Sequence, residues 1–320
     1  MANGIATDTM ERGTEASEAA ASGLWAPAVT PLDEALMPDH ARFVAHVKWL
    51  LDNGCHGVTV FGTTGEATSF SVDERIALLE SLLRAGVPAE RLMVGNGCCA
   101  LSDTLRLTGA ALDRGCGKVL MLPPFYYKDV SDQGLYASYS EVIERVGDTR
   151  LRVFLYHFPR LSTVPITHTV IERLRKNYGA TIAGLKDSTG DEASTRAYIA
   201  AFPDLAIFPG TETLMLPMLQ EGGAGCITAS ANVNATAIRA LYDAWQGGDE
   251  SAGERQAKIT AVRQVLQAKP MIPGLKSVIA GQRQDPGWRR VRPPLVALSE
   301  ADAVEHSAAL AAVGFVFGKA

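Results

Sequence analysis

The segment TIAGLKDSTGD delivers Lys186 directly after the apolar residues Ile182, Ala183 and Leu185. A strand through this run carries an amine out of a hydrophobic interior. Burial disfavours an ammonium ion and lowers its pKa, which leaves a fraction of free amine able to attack a carbonyl; the bland alternatives are a side chain that snorkels to solvent or one that pairs with Asp187. One apolar run earlier, VFLY ends on Tyr156. Neighbouring strands lie roughly 5 Å apart, so the two side chains converge if both point inward, and a phenol beside an amine can shuttle protons while a carbinolamine loses water. A core tyrosine satisfied by a backbone carbonyl is the other reading. A third stretch, VTVFGTTGEATSFS, brackets Thr63 and Thr64 between Gly62 and Gly65, ahead of Glu66. Glycines let the backbone approach a ligand, and threonine amides and hydroxyls can hold a carboxylate without a cation. The same pattern also suits a tight turn before a helix.

Groups that must converge need a scaffold, and the chain has a regular one. Eight short apolar runs begin at LWAPAVT and continue through GVTVFG, RLMVGN, KVLMLPP, RVFLYHF, TIAGLKD, LAIFPG and GCITAS. Between them lie stretches with apolar residues at three- and four-residue spacing, such as Arg42 to Asn53, Val72 to Arg84, Leu135 to Val146 and Ile166 to Tyr178. Eight strand and helix units predict an α/β fold of the (β/α)8 barrel type, with an open doubly wound sheet as the alternative. No G-x-G-x-x-G follows the first run, which counts against dinucleotide binding. After the last run, Thr236 to Gln246, Gly253 to Gln267 and Asp302 to Val313 read as helices, with VRPPLVALS as an extended connector. The expected organisation is a loosely ordered tail over residues 1–22, a catalytic barrel over 23–235 and a C-terminal helical extension over 236–320. In a barrel, reacting groups sit at the carboxyl ends of strands; Lys118 precedes its run and falls on the opposite face.

The composition narrows the partner. The chain has 320 residues, 47% of them hydrophobic and 20% charged, and a net charge of -5; this gives no electrostatic case for nucleic acid or an anionic membrane and points to a small molecule. Cys55, Cys98, Cys99, Cys116 and Cys226 are odd in number and lack C-x-x-C spacing. They read as small core residues in a reducing, cytoplasmic setting rather than as metal ligands. The first 22 residues contain no apolar segment of the signal-peptide kind, and no apolar run reaches the length of a membrane span.

GTTGE at Gly62 to Glu66, PPFYY at Pro123 to Tyr127, the Tyr-x-x-Pro at Tyr156 to Pro159 and GLKDSTGD at Gly184 to Asp191 occur in this order. Together they resemble the dihydrodipicolinate synthase/N-acetylneuraminate lyase family, and the match runs from about Gly23 to the C-terminus. The resemblance implies a (β/α)8 barrel with a C-terminal helical region, usually a homotetramer built as a dimer of dimers, that binds pyruvate or another 2-keto acid as a Schiff base. It implies that Lys186 forms the imine, Tyr156 relays protons, Thr63 supplies the relay hydroxyl, and Thr64 with Gly62 binds the carboxylate. A second relay tyrosine, contributed across a subunit interface, falls on Tyr126, with Tyr127 left open by an extra residue in FYYKDVSDQG. Gly210 in FPGTET and Ile227 in GCITAS match positions that border the keto acid. Neither a metal nor an organic cofactor is implied.

Two positions depart from the pattern. His157 stands where many members carry Asn, and Leu161 stands where dihydrodipicolinate synthases carry an Arg for the second substrate's carboxylate. A leucine cannot make the bidentate pair that a guanidinium offers. RLS at Arg160 to Ser162 resembles the sialate-lyase side of the family, yet those enzymes present Asp-Glu after the glycine where this chain has Thr211-Glu212-Thr213. Arg160 either swings inward or stays a solvated charge, and His157 either bonds a substrate hydroxyl or fills a pocket. The expectation is a class I Schiff-base lyase or aldolase acting on pyruvate or a 2-keto-3-deoxy acid, a sugar-acid aldolase or dehydratase before others. Dihydrodipicolinate synthase is the alternative enzyme. A barrel that binds a keto acid without turnover is the rival of another class.

Overall fold

The computed structural model describes residues 21–318. Apart from its last two residues, the expected tail lies outside the described residues. Eight parallel strands alternate with helices: β1 (Gly23–Pro27), β2 (Gly57–Val60), β3 (Leu92–Gly95), β4 (Lys118–Met121), β5 (Arg152–His157), β6 (Ile182–Asp187), β7 (Ala206–Pro209) and β8 (Gly225–Ile227). Seven fall within their apolar runs, and β1 starts one residue before its own. The hydrogen-bonded order β7-β6-β5-β4-β3-β2-β1-β8 leaves a single seam. There the Ala224 amide donates to the Ile207 carbonyl at 2.9 Å and brings the ring close to closure. The fold is a (β/α)8 barrel, as expected, and not an open sheet.

Side chains alternate across each strand. Trp25, Met93, Leu120, Phe154, Phe208 and Ile227 fill the barrel interior with Tyr156. The outward set, including Leu24, Val58, Val60, Val94, Val153 and Leu155, is buried against the helical layer. One irregularity decides what the barrel presents at its top. Between β5 and β6 the pairing changes from Val153 opposite Ile182 to Phe154 opposite Gly184, so β6 carries one extra residue, Ala183. A one-residue slip moves every later side chain to the other face. With the bulge, Tyr156 pairs with Lys186; without it, Tyr156 would face Leu185. Gly184 permits the packing, because a Cβ there would stand 2.6 Å from the Phe154 ring and 2.4 Å from the Ala206 carbonyl oxygen.

The helix over Val72–Arg84 has the expected ends, and Ser71 with Glu74 forms a capping box at its start. The C-terminal region holds helices over Ala231–Gln246, Ala252–Gln267, Met271–Arg283 and Glu300–Ala312. The first begins five residues earlier than its pattern indicates. Asn232 belongs to that early turn because its side chain accepts from the Val29 amide and donates to the Pro27 carbonyl, both at 2.9 Å, which outweighs its weak helix propensity. The helix over Met271–Arg283 goes unread in the sequence, since Pro273, Gly274 and Gly281 interrupt its pattern. Pro273 sits in the first turn, where a missing N–H costs little. Among the described residues, no helix is long and apolar enough to cross a membrane.

Candidate active site

Tyr156 and Lys186 occupy the ends of β5 and β6 and are 4% and 5% exposed. The Lys186 amine lies 4.4 Å from the centre of the Tyr156 ring, and the Tyr156 hydroxyl lies 3.4 Å from Thr63 Oγ1. An amine, a phenol and an alcohol thus stand in sequence at the top of the barrel. The oxygen separation is longer than a formed O–H···O bond, a spacing that substrate can tighten. Asp187 points the other way. Its carboxylate accepts from the Thr189 amide and the Thr195 hydroxyl, each at 2.9 Å, so it is engaged away from Lys186.

The GTTGE stretch folds as a short 3-10 turn over Thr63–Gly65. The Gly65 and Ala67 amides both return to the Gly62 carbonyl, at 3.0 and 3.3 Å. Phe61 and Glu66, flanking the turn, have φ of 60° and 58°. Such values strain residues with side chains, and this strain is held by close contacts on both sides. A Cβ at Gly95 would lie 2.1 Å from the Phe61 carbonyl oxygen, and one at Gly65 would lie 2.7 Å from that of Ala28.

The strongest restraint on this loop comes from a residue that sequence reading missed. Lys276, on the helix over Met271–Arg283, forms a wholly buried ion pair with Glu66 and also donates to the Arg290 carbonyl at 2.8 Å. The second Glu66 oxygen accepts from the Arg292 amide at 3.1 Å, and the Arg292 side chain donates to the Ser69 carbonyl at 2.7 Å. Burial lowers the Lys276 pKa and the Glu66 charge opposes that shift. A lone lysine inside the apolar run MIPGLKSVIAG was the available signal.

A cavity of about 210 Å³ opens beside Tyr156, and the Lys186 amine, behind the Tyr156 ring, is not part of its lining. Gly62, Thr63, Tyr156 and Leu161 line it; Thr64 is half-buried beside them. Leu161 stands at its rim, 54% exposed, on the short helix Pro159–Ser162, and Arg160 next to it is exposed and not part of the lining. Ile227 lies in the barrel interior with Tyr156. The Gly210 amide donates to the Asp187 carbonyl at 2.7 Å, and a Cβ at Gly210 would stand 2.3 Å from Ser188 Oγ. His157 is not brought to the cavity. It follows Tyr156 on the strand and therefore faces the helices, where its Nδ1 accepts from the Ile166 amide at 3.1 Å and its ring meets the edge of Tyr198. Burial lowers its pKa, against the pull of Asp187. Tyr126 is 73% exposed, packs edge-to-face on Tyr127, and stays out of this chain's own cavity, which Phe125 lines instead.

Comparison with known proteins identifies the family. Residues 20–313 match the model of the dihydrodipicolinate synthetase family, and the chain belongs to that family. An "Uncharacterized DapA-like lyase" of Chloroflexus aurantiacus is 38% identical over 282 residues, covering 88% of this chain and 91% of that protein. A 4-hydroxy-tetrahydrodipicolinate synthase of Rhodospirillum centenum is 33% identical over 66% of this chain and 71% of its own length. Among solved structures, the dihydrodipicolinate synthase from Agrobacterium tumefaciens superposes with a TM-score of 0.83 at 31% identity, covering 91% of this chain and 99% of that one.

Proposed function

We propose that this lyase-family protein is a class I lyase or aldolase that holds pyruvate, or a 2-keto acid built on it, as an imine on Lys186. The observation that carries the reading is the bulged β5–β6 register, which sets the Lys186 amine against Tyr156 with Thr63 in reach. The amine adds to the keto carbon and the resulting carbinolamine loses water, with Tyr156 giving the proton that water carries away. The protonated imine then draws electrons from the adjacent carbon. Loss of a methyl proton gives an enamine, and in the opposite direction the imine accepts the electron pair of a breaking carbon–carbon bond. The GTTGE turn, through Thr63 and Thr64, holds the carboxylate. We assign the second relay phenol to Tyr126, delivered to a neighbouring subunit's cavity in a homotetramer; its exposure supports this.

Dihydrodipicolinate synthase activity is a second reading, supported by the names of relatives and opposed by Leu161. A binder without turnover would leave the Tyr156–Thr63 relay without a use. Proton NMR of pyruvate in deuterated water tests the proposal. The protein should exchange the methyl protons, and Lys186→Ala should abolish the exchange. Exchange that survives in Lys186→Ala rules out this role for the residue.

A further inference from the structure

We infer that the aldehyde which this site adds to, or releases from, the keto acid is apolar: an alkyl or aryl aldehyde bearing neither a carboxylate nor a polyol chain. The inference rests on the imine reading above and concerns the other half of the same cavity. Phe61, Ala67, Leu120, Leu122, Phe125 and Leu161 form the apolar part of its wall, and no Asp, Glu, Lys, Arg or His is part of the lining.

Few polar side chains remain, and most of them already have a role or a partner. Thr63 and Tyr156 face each other in the relay. The Ser162 hydroxyl donates to the Phe158 or Val164 carbonyl, each 3.1 Å away, and accepts from the Val164 amide at 3.2 Å. Lys128, beside the rim, is held by the carbonyls of Phe125 and Ser162, which ties two walls of the cavity together. Thr68 is left, and it is exposed. A hydroxylated or carboxylated aldehyde entering here loses hydrogen bonds to water and gains few in return. An apolar one gains burial at every carbon.

In the bond-forming direction, the enamine carbon attacks the aldehyde carbon and the carbonyl π pair moves to oxygen, which takes a proton from Tyr156. Water then hydrolyses the imine, releasing a 4-hydroxy-2-oxo acid and the free Lys186 amine. The reverse sequence cleaves the same acid to pyruvate and the aldehyde.

The test measures kcat/KM of the full-length protein with pyruvate and, in turn, propanal, butanal, hexanal, benzaldehyde, glyceraldehyde and aspartate semialdehyde. Efficiency should rise about three- to fourfold per added methylene along the alkanals. Benzaldehyde should exceed glyceraldehyde and aspartate semialdehyde by more than about tenfold. Leu161→Arg alters an exposed side chain and should fold; it should reduce efficiency with hexanal and raise it with aspartate semialdehyde. A flat alkanal series, or a parent protein that prefers either polar aldehyde, overturns the inference. Methyl exchange in pyruvate without aldehyde separates the two levels. Exchange together with a flat series removes only the apolar assignment, whereas absent exchange removes the imine reading and this inference with it.

Discussion

At the residue scale, adjacent positions on one strand do unlike work because strand side chains alternate. Tyr156 points into the barrel toward Lys186 and Thr63, and His157 points into the helical layer. Tyr156→Phe keeps the ring under the amine and removes only the proton carrier. Turnover should fall by about 100-fold or more with little change in thermal stability, as expected for lost general acid–base help. Steady-state kinetics and a melting curve check both halves. His157→Ala should do the reverse. Loss of the acceptor for the buried Ile166 amide should cost about 1–3 kcal/mol of stability, while the KM for pyruvate stays near that of the parent.

At the element scale, the site depends on two features that differ in how readily the sequence discloses them. The eight strands and the lysine and tyrosine at strand ends are legible, since apolar runs bounded by turns and followed by helical periodicity have few other readings. Whether Tyr156 and Lys186 share a face is not legible. That depends on the extra residue Ala183 in β6, and a bulge leaves no compositional mark. The helix over Met271–Arg283 is hidden for another reason: its proline and glycines obscure the period, and its lysine makes sense only once Glu66 is seen beside it. Lys276→Met leaves the Glu66 carboxylate buried without its cation. The expected loss is about 3–5 kcal/mol of stability, with a raised KM for pyruvate as the GTTGE turn loosens. Glu66→Gln combined with Lys276→Met removes both charges and should recover part of that stability in a thermal or urea titration.

At the scale of the whole molecule, the C-terminal helices act as a brace for the barrel. His46 is one of the joints. It is fully buried, with Nε2 bonded to Asn232 at 2.9 Å and Nδ1 accepting from Arg283 at 3.0 Å. Burial, with help from the Arg283 charge, pushes its pKa down to about 3. A histidine whose folded pKa lies below its unfolded value contributes stability that is complete above the unfolded pKa and is lost as pH falls toward the folded one. Between about pH 6.5 and 3 the unfolded chain binds the proton that the folded protein refuses, and at pH 5 this costs about 2 kcal/mol. Denaturation midpoints at pH 7 and pH 5 should differ accordingly, and His46→Gln should narrow the gap. The central claim, that the whole barrel serves one amine, is tested most directly by reducing the protein with borohydride in the presence of pyruvate and mapping the product by peptide mass spectrometry. The account expects one reduced pyruvate adduct per chain, on the peptide carrying Lys186, and none in Lys186→Ala. An adduct on another lysine, or an unmodified chain under conditions of turnover, would contradict it.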